Sequence, residues 1–231
     1  MCLTGRIEMV RPPVFGNNTA ADSRRWEFDF KNEILLTRGQ RPDVVFIGDS
    51  ITHIWEVNAY FHRFGLVVNR GIGGDTADIM AQRLMGDAIQ LQPRACVMMI
   101  GINNLWCIDN DGANPDDVFA LLMDSYRKIL TMAGENGLRL LVCSLMPLCD
   151  RSEMGQGRNR FVLRVNAALR ALCEEAGVPY VDYHAAVTDT DGMTMREGLT
   201  EDGLHPHVYG YDIMAKVLTP YLERELNLKG D

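Results

Sequence analysis

Four short segments of the chain set chemistry-bearing side chains beside glycines: GDSIT (48–52), GIGGDT (71–76), GINN (101–104) and EDGLHPH (201–207). Ser50 offers a hydroxyl that a neighbouring base could turn into a nucleophile. Asp202 precedes His205 across Gly203 and Leu204, the residue types of a base and of the carboxylate that orients it. Gly71, Gly73 and Gly74 leave a loop with little side-chain cover, so that backbone N–H groups can face a ligand. Asn103 and Asn104 bring amide donors to a fourth point. Nucleophile, base, base-orienter and donors for a developing oxyanion form the inventory of acyl transfer.

Each segment also has a plainer reading. Ser50 or Thr52 would serve as a helix cap, and Thr52 stands where the G-x-S-x-G elbow needs its second glycine. GIGGDT could cradle a phosphate, but it matches neither G-x-x-x-x-G-K-[ST] nor G-x-G-x-x-G. An asparagine often does no more than fix its own turn. Asp202 and Gly203 would make a turn, with His205 at a helix start before Pro206. The H-x-H of His205 and His207 is too poor in further ligands for a metal site.

What must position these residues is a set of apolar runs bounded by Gly, Pro or polar residues: 43–48, 95–101, 138–145 and 178–183, with a shorter one at 66–69. Their nearly continuous hydrophobicity predicts strands covered on both faces. Helical spacing predicts helices over 26–37, 76–89, 116–137, 159–177 and 207–227. Asp75 or Thr76 would cap the second, and Gly210 and Pro220 would interrupt the last. Strand alternating with helix predicts a parallel sheet in a doubly wound α/β sandwich. Ligands of such sheets bind outside the carboxyl ends of the strands. All four segments fall there, and four unrelated caps and turns would have no reason to supply this particular set.

Composition narrows the class. The 231 residues are 47% hydrophobic and 23% charged, with no repeat or low-complexity linker, and predict one domain over 1–231 with 1–25 as an N-terminal extension. A formal net charge of −8 argues against nucleic acid as a partner. The first residues lack the apolar run of a signal peptide or a membrane span, which points to the cytoplasm. Six cysteines without a C-x-x-C pair agree with a reducing compartment, and Cys96 and Cys143 read as buried, inert thiols.

GDSIT, GIGGDT, GINN and DGLHP, in this order, resemble the four blocks of the SGNH hydrolases, also called GDSL lipases or esterases. The wording GIGGDT followed by G-x-N-N is most similar to the branch containing the catalytic subunits of intracellular platelet-activating-factor acetylhydrolase. The resemblance implies a flavodoxin-like three-layer α/β/α fold with a central five-stranded parallel sheet. It implies Ser50 as nucleophile, His205 as base and Asp202 as its support. The N–H groups of Ser50 and Gly74, with the Asn103 side chain, become the oxyanion hole. Asn104 stands where many relatives carry Asp.

The expected activity is hydrolysis of small or short-chain acyl esters through an acyl-serine, with no metal or organic cofactor; a homodimer is suggested by the proposed branch alone. A thioesterase or lysophospholipase of the same fold is the nearest alternative. Others are a phosphate- or nucleotide-binding protein using GIGGDT as its cradle, and a catalytically silent carbohydrate-binding relative. Selectivity would lie in the loops 102–115, 146–158 and 184–200, with Trp55, Trp106 and Met146 as candidates for lining an acyl pocket.

Overall fold

A computed structural model describes residues 7–16, 19–110 and 112–227. Its centre is a parallel sheet of five strands: β1 (Val44–Gly48), β2 (Val67–Gly71), β3 (Ala95–Met99), β4 (Leu140–Cys143) and β5 (Tyr180–Val181). The spatial order is β2-β1-β3-β4-β5, so the chain reverses direction across the sheet between β1 and β3. Every residue of β1, β3 and β4 is buried, as their unbroken apolar character predicts. Alternate strand residues face opposite layers. Val45, Ile47, Cys96, Met98 and Val142 pack with α4 (Ala77–Asp87), α6 (Pro115–Glu135) and α7 (Glu153–Ala176). Phe46, Val97, Met99, Leu141 and Val181 pack with α2 (Ser50–Ile54), α3 (Val57–Phe61), α8 (Tyr183–Val187) and α9 (Val208–Glu225). This is a three-layer α/β/α fold. Helix α1 (Ala20–Thr37) lies against α4 at the β2 edge, and α5 (Trp106–Asn110) follows the 3₁₀ turn Ile102–Leu105.

Register brings the chemistry to one rim. Gly48 of β1 lies level with Gly71 of β2 and with Met99 of β3. The segments that follow these three residues therefore leave the sheet side by side at the topological switch point.

Several boundaries differ from the sequence reading. Helix α1 begins at Ala20 rather than 26, reaching six residues into the stretch assigned to an extension; Cys2 and the rest of 1–6 lie outside the described residues. Helix α7 begins at Glu153 rather than 159, because the Ser152 side chain accepts the Gly155 N–H at 3.1 Å and caps it. Helix α9 runs unbroken through both of its supposed interruptions. Leu218 and Leu222, both fully buried, flank Pro220, and their packing outweighs one lost helical bond. Gly210 serves close approach: a Cβ there would sit 2.7 Å from the Pro206 Cβ and 2.9 Å from the Leu199 carbonyl oxygen.

Candidate active site

Strand β1 ends in Gly48, and Asp49 caps α2 by accepting the Ile51 N–H on Oδ1 at 3.0 Å. That cap makes Ser50 the first residue of the helix, half-buried at the rim. Its Oγ lies 2.8 Å from Nε2 of His205, 155 positions away in sequence. Nδ1 of His205 lies 2.5 Å from Oδ2 of Asp202. Packing closes this long gap. The Tyr211 hydroxyl donates to the Ile51 carbonyl at 2.8 Å, and its ring stacks on Trp55 at 5.0 Å, tying the start of α9 to α2. The loop that carries His205 is pinned at its base by the His207 N–H on the Leu199 carbonyl (3.0 Å) and by a bridge between Thr200 and Pro206.

Within that loop Gly203 takes φ +89°, which lets the chain fold back on Asp202. Oδ1 of Asp202 accepts from the N–H groups of Leu204 (2.9 Å) and His205 (2.8 Å) and from the Thr200 hydroxyl (3.1 Å). Burial by itself would raise this carboxyl. The bonds from the His205 ring and from the two backbone N–H groups outweigh it and hold Asp202 well below the usual carboxylate range. An ionised Asp202 places the imidazole proton on Nδ1 and leaves Nε2 to accept from the Ser50 hydroxyl.

The three candidate donors follow the level ends of neighbouring strands. Among the described residues, neither the Ser50 nor the Gly74 N–H donates to a protein acceptor. Asn103, half-buried, directs one Nδ2 hydrogen to the Asp75 carbonyl at 2.9 Å and retains the other. Asn104 is committed elsewhere. Its Oδ1 accepts the Ala77 N–H (3.0 Å) and its Nδ2 donates to Asp78 (3.3 Å). Asn104 thus caps α4, where Asp75 or Thr76 was expected, and the Thr76 side chain makes no capping bond.

Three residues absent from the sequence reading surround this set. His53, one turn after Ser50, accepts the Gly73 N–H on Nδ1 at 3.2 Å. Arg83 is wholly buried between Asp75 and Asp87. Its signal was present: Met80, Arg83, Leu84 and Asp87 share one helical face, so an i,i+4 ion pair sits in an otherwise apolar stripe. Asp49, 1% exposed, leaves Oδ2 without a partner. Burial pushes its carboxyl up from 3.8 to about 7, against the hydrogen bond from Ile51.

The buried Asp49 has a consequence for stability. Because the folded chain holds this proton more tightly than the unfolded chain, the resulting stabilisation is complete below about pH 4 and is lost as pH rises through about 7. Asp49→Asn keeps an acceptor for the Ile51 N–H and cannot ionise. Urea unfolding is expected to show parent and variant similar at pH 4, with the variant ahead at pH 8 by roughly 4 kcal/mol at most. An identical difference at both pH values would mean that Asp49 does not titrate between them.

Other candidates fall away from the site. Trp55 and Met146 are packed in the core, at 3% and 0% exposure. Trp106 is half-buried with the Arg158 guanidinium 4.6 Å from its ring centre. His184 is buried, and its backbone N–H donates to the Ser144 hydroxyl at 2.8 Å, which places both within the core. His207 caps α9 through Nδ1, 3.2 Å from the Tyr209 nitrogen, so Pro206 precedes the cap and does not open the helix as expected. Cys96 and Cys143 are buried, and burial pushes the Cys143 thiol up to about 12 and Cys96 higher. A cleft of about 330 Å³ lies between two of the three loops expected to carry selectivity, lined by Leu105, Ile108, Pro115, Met154, Phe161 and Arg158. Among the described residues no helix is long and apolar enough to cross a membrane, and no three His, Cys, Asp or Glu side chains gather as a metal site would.

The pattern of the GDSL-like Lipase/Acylhydrolase family matches residues 46–213. The human platelet-activating factor acetylhydrolase IB subunit alpha2 is 25% identical over 213 residues, covering 88% of this chain and 85% of that protein. The acetylxylan esterase of Geobacillus stearothermophilus is 26% identical over 214 residues, covering 77% of this chain and 92% of its own. Among solved structures, a GDSL-like lipase from Bacteroides thetaiotaomicron superposes with a TM-score of 0.72 at 24% identity, over 89% of this chain and 98% of that one.

Proposed function

The chain belongs to the GDSL-like lipase/acylhydrolase family and is an ester hydrolase, and from that premise we propose that it is a serine esterase acting on short-chain acyl esters, acetyl esters first. The observation that carries this reading is the unbroken line from the Asp202 carboxylate through the His205 ring to the Ser50 hydroxyl. His205 takes the Ser50 proton as Oγ attacks the ester carbonyl, and Asp202 steadies the imidazolium that forms. The N–H groups of Ser50 and Gly74 and the second Nδ2 hydrogen of Asn103 receive the charge that develops on the carbonyl oxygen. His205 then returns its proton to the departing alcohol. Water, activated by the same nitrogen, attacks the acyl-Ser50, and the carboxylic acid leaves.

The acetyl preference draws on the two named relatives, both described as enzymes that remove acetyl groups. The direct test of the nucleophile is mass spectrometry after fluorophosphonate treatment. The adduct is expected on Ser50, and an adduct on Ser144 would sink the assignment. A screen of p-nitrophenyl esters of increasing acyl length, beside acetylated sugars and a matched thioester, reads the substrate class. Faster turnover of the thioester or of long acyl chains would favour the thioesterase or lysophospholipase alternative.

The two asparagines give a sharper check on the oxyanion hole. Asn103→Ala is expected to lower kcat by about 10²–10³ with little change in KM, because the donor acts on charge that exists only in the transition state. Asn104→Ala is expected to lower the unfolding midpoint, because it removes the cap of α4. A large kcat loss in the Asn104 variant alone would reverse the two roles.

A further inference from the structure

Arg83 has a side chain with no exposed surface, set beneath the ends of β1 and β2. Its guanidinium makes four hydrogen bonds: Nε to Asp75 Oδ2 (2.7 Å), Nη1 to Asp87 Oδ2 (3.0 Å) and to the Arg70 carbonyl (3.0 Å), and Nη2 to the Gly48 carbonyl (3.1 Å). The cluster is braced from behind. Arg70 donates from Nε and Nη2 to Asn32 Oδ1 at 2.9 and 2.8 Å, and Asn32 donates to Asp87 Oδ1 at 3.2 Å. A buried cation between two anions is a weak source of stability, since desolvation consumes most of the attraction and apolar replacements often do as well. What the fork does supply is geometry, because a planar guanidinium fixes several acceptors at once.

Two of these four acceptors, Asp75 and the Gly48 carbonyl, lie in segments that carry the oxyanion donors. The Gly48 carbonyl belongs to the peptide that leads into Asp49 and Ser50. Asp75 follows Gly74 directly, and its own carbonyl holds Nδ2 of Asn103. One side chain therefore braces all three donor segments, which come from three different strands. We propose that Arg83 is a positioning residue for the oxyanion hole, setting the Ser50 and Gly74 N–H groups and the Asn103 amide at a common focus. This rests on the reading of those three groups as the donors. Arg83 touches no substrate and acts through Gly48 and Asp75.

Steady-state hydrolysis of p-nitrophenyl acetate by Arg83→Lys, Asn103→Ala and the double variant tests the proposal. Lysine keeps the charge between Asp75 and Asp87 but lacks the planar fork. Arg83→Lys is expected to lower kcat by about 10²-fold with KM within a few-fold, the scale of a small misplacement at a reacting centre. In the Asn103→Ala background the same change is expected to cost at most about 10-fold, because part of what Arg83 positions is already gone. An equal factor in both backgrounds, a loss confined to KM, or a kcat within about 3-fold of the parent would overturn it. Asn103→Ala alone separates the two levels. If its kcat stays at that of the parent, the reading of the donors fails; if it falls while Arg83→Lys behaves as the parent, only the role of Arg83 fails. Should the lysine variant not fold, Asp75→Asn carries the same cycle. It leaves Arg83 paired with Asp87 and loosens the arm toward Gly74 and Asn103, so a coupled kcat loss is again expected and a parent-like kcat is the contrary result.

Discussion

Replacing Ser50 by alanine is expected to lower kcat for p-nitrophenyl acetate by about 10⁶-fold, the scale seen when the nucleophile of a serine hydrolase is removed. Removal of Oγ takes away the atom that bonds to the acyl carbon, and among the described residues no other hydroxyl hydrogen-bonds to His205 Nε2. Ser144, the alternative in sequence, is enclosed in the core with its hydroxyl accepting the His184 N–H. The fold should be unaffected, because Asp49 rather than Ser50 caps α2 and a rim hydroxyl contributes little packing. Residual turnover from the oxyanion donors and binding should persist at about 10³–10⁴ over water. Parent-like activity in a folded Ser50→Ala chain would remove Ser50 from the mechanism.

His205→Ala is expected to be nearly as damaging, and the Ser50→Ala, His205→Ala double variant hardly worse than either single one. The reason is that an alkoxide forms only as a base takes its proton, so the second deletion finds nothing left to remove. Asp202→Ala should be milder, at about 10⁴-fold, since Asp202 orients the base and stabilises its charge without taking the proton. His207→Ala should stay within a few-fold of the parent, because that ring faces Tyr209 and caps α9. A multiplicative double variant, or an inert His207→Ala beside an active His205→Ala, would contradict the assignment.

The buried strands and the turn of the candidate site were legible in the sequence because each depends on local physics. A strand covered on both faces needs an unbroken apolar run, and 44–48, 95–99 and 140–143 have one. Gly203 beside Asp202 permits a turn that brings Asp and His of the same loop together, whatever the rest of the chain does. Helix ends were less legible. The polar, glycine-containing stretch 152–158 hid the start of α7 because propensity there is weak, while Ser152 offers a cap only once the helix direction is set.

Packing alone decided the rest. The 2.8 Å approach of Ser50 to His205 needs level strand ends and the Tyr211 anchor between α9 and α2, neither of which any local pattern encodes. Asn103 and Asn104 are adjacent and chemically identical. Only the position of α4 makes one a cap and leaves the other with a hydrogen to give. Asp49 looks in sequence like an ordinary turn residue, and Arg83 shows only as a charge on the apolar face of its helix. Their burial, and with it the unusual carboxyl of Asp49 and the four-way bracing by Arg83, exists only where three strand ends close over them and exclude water. Sequence therefore determined the elements, the residue types at their ends and the chemistry those types allow. Tertiary structure determined distance and dielectric, because both depend on groups far apart along the chain.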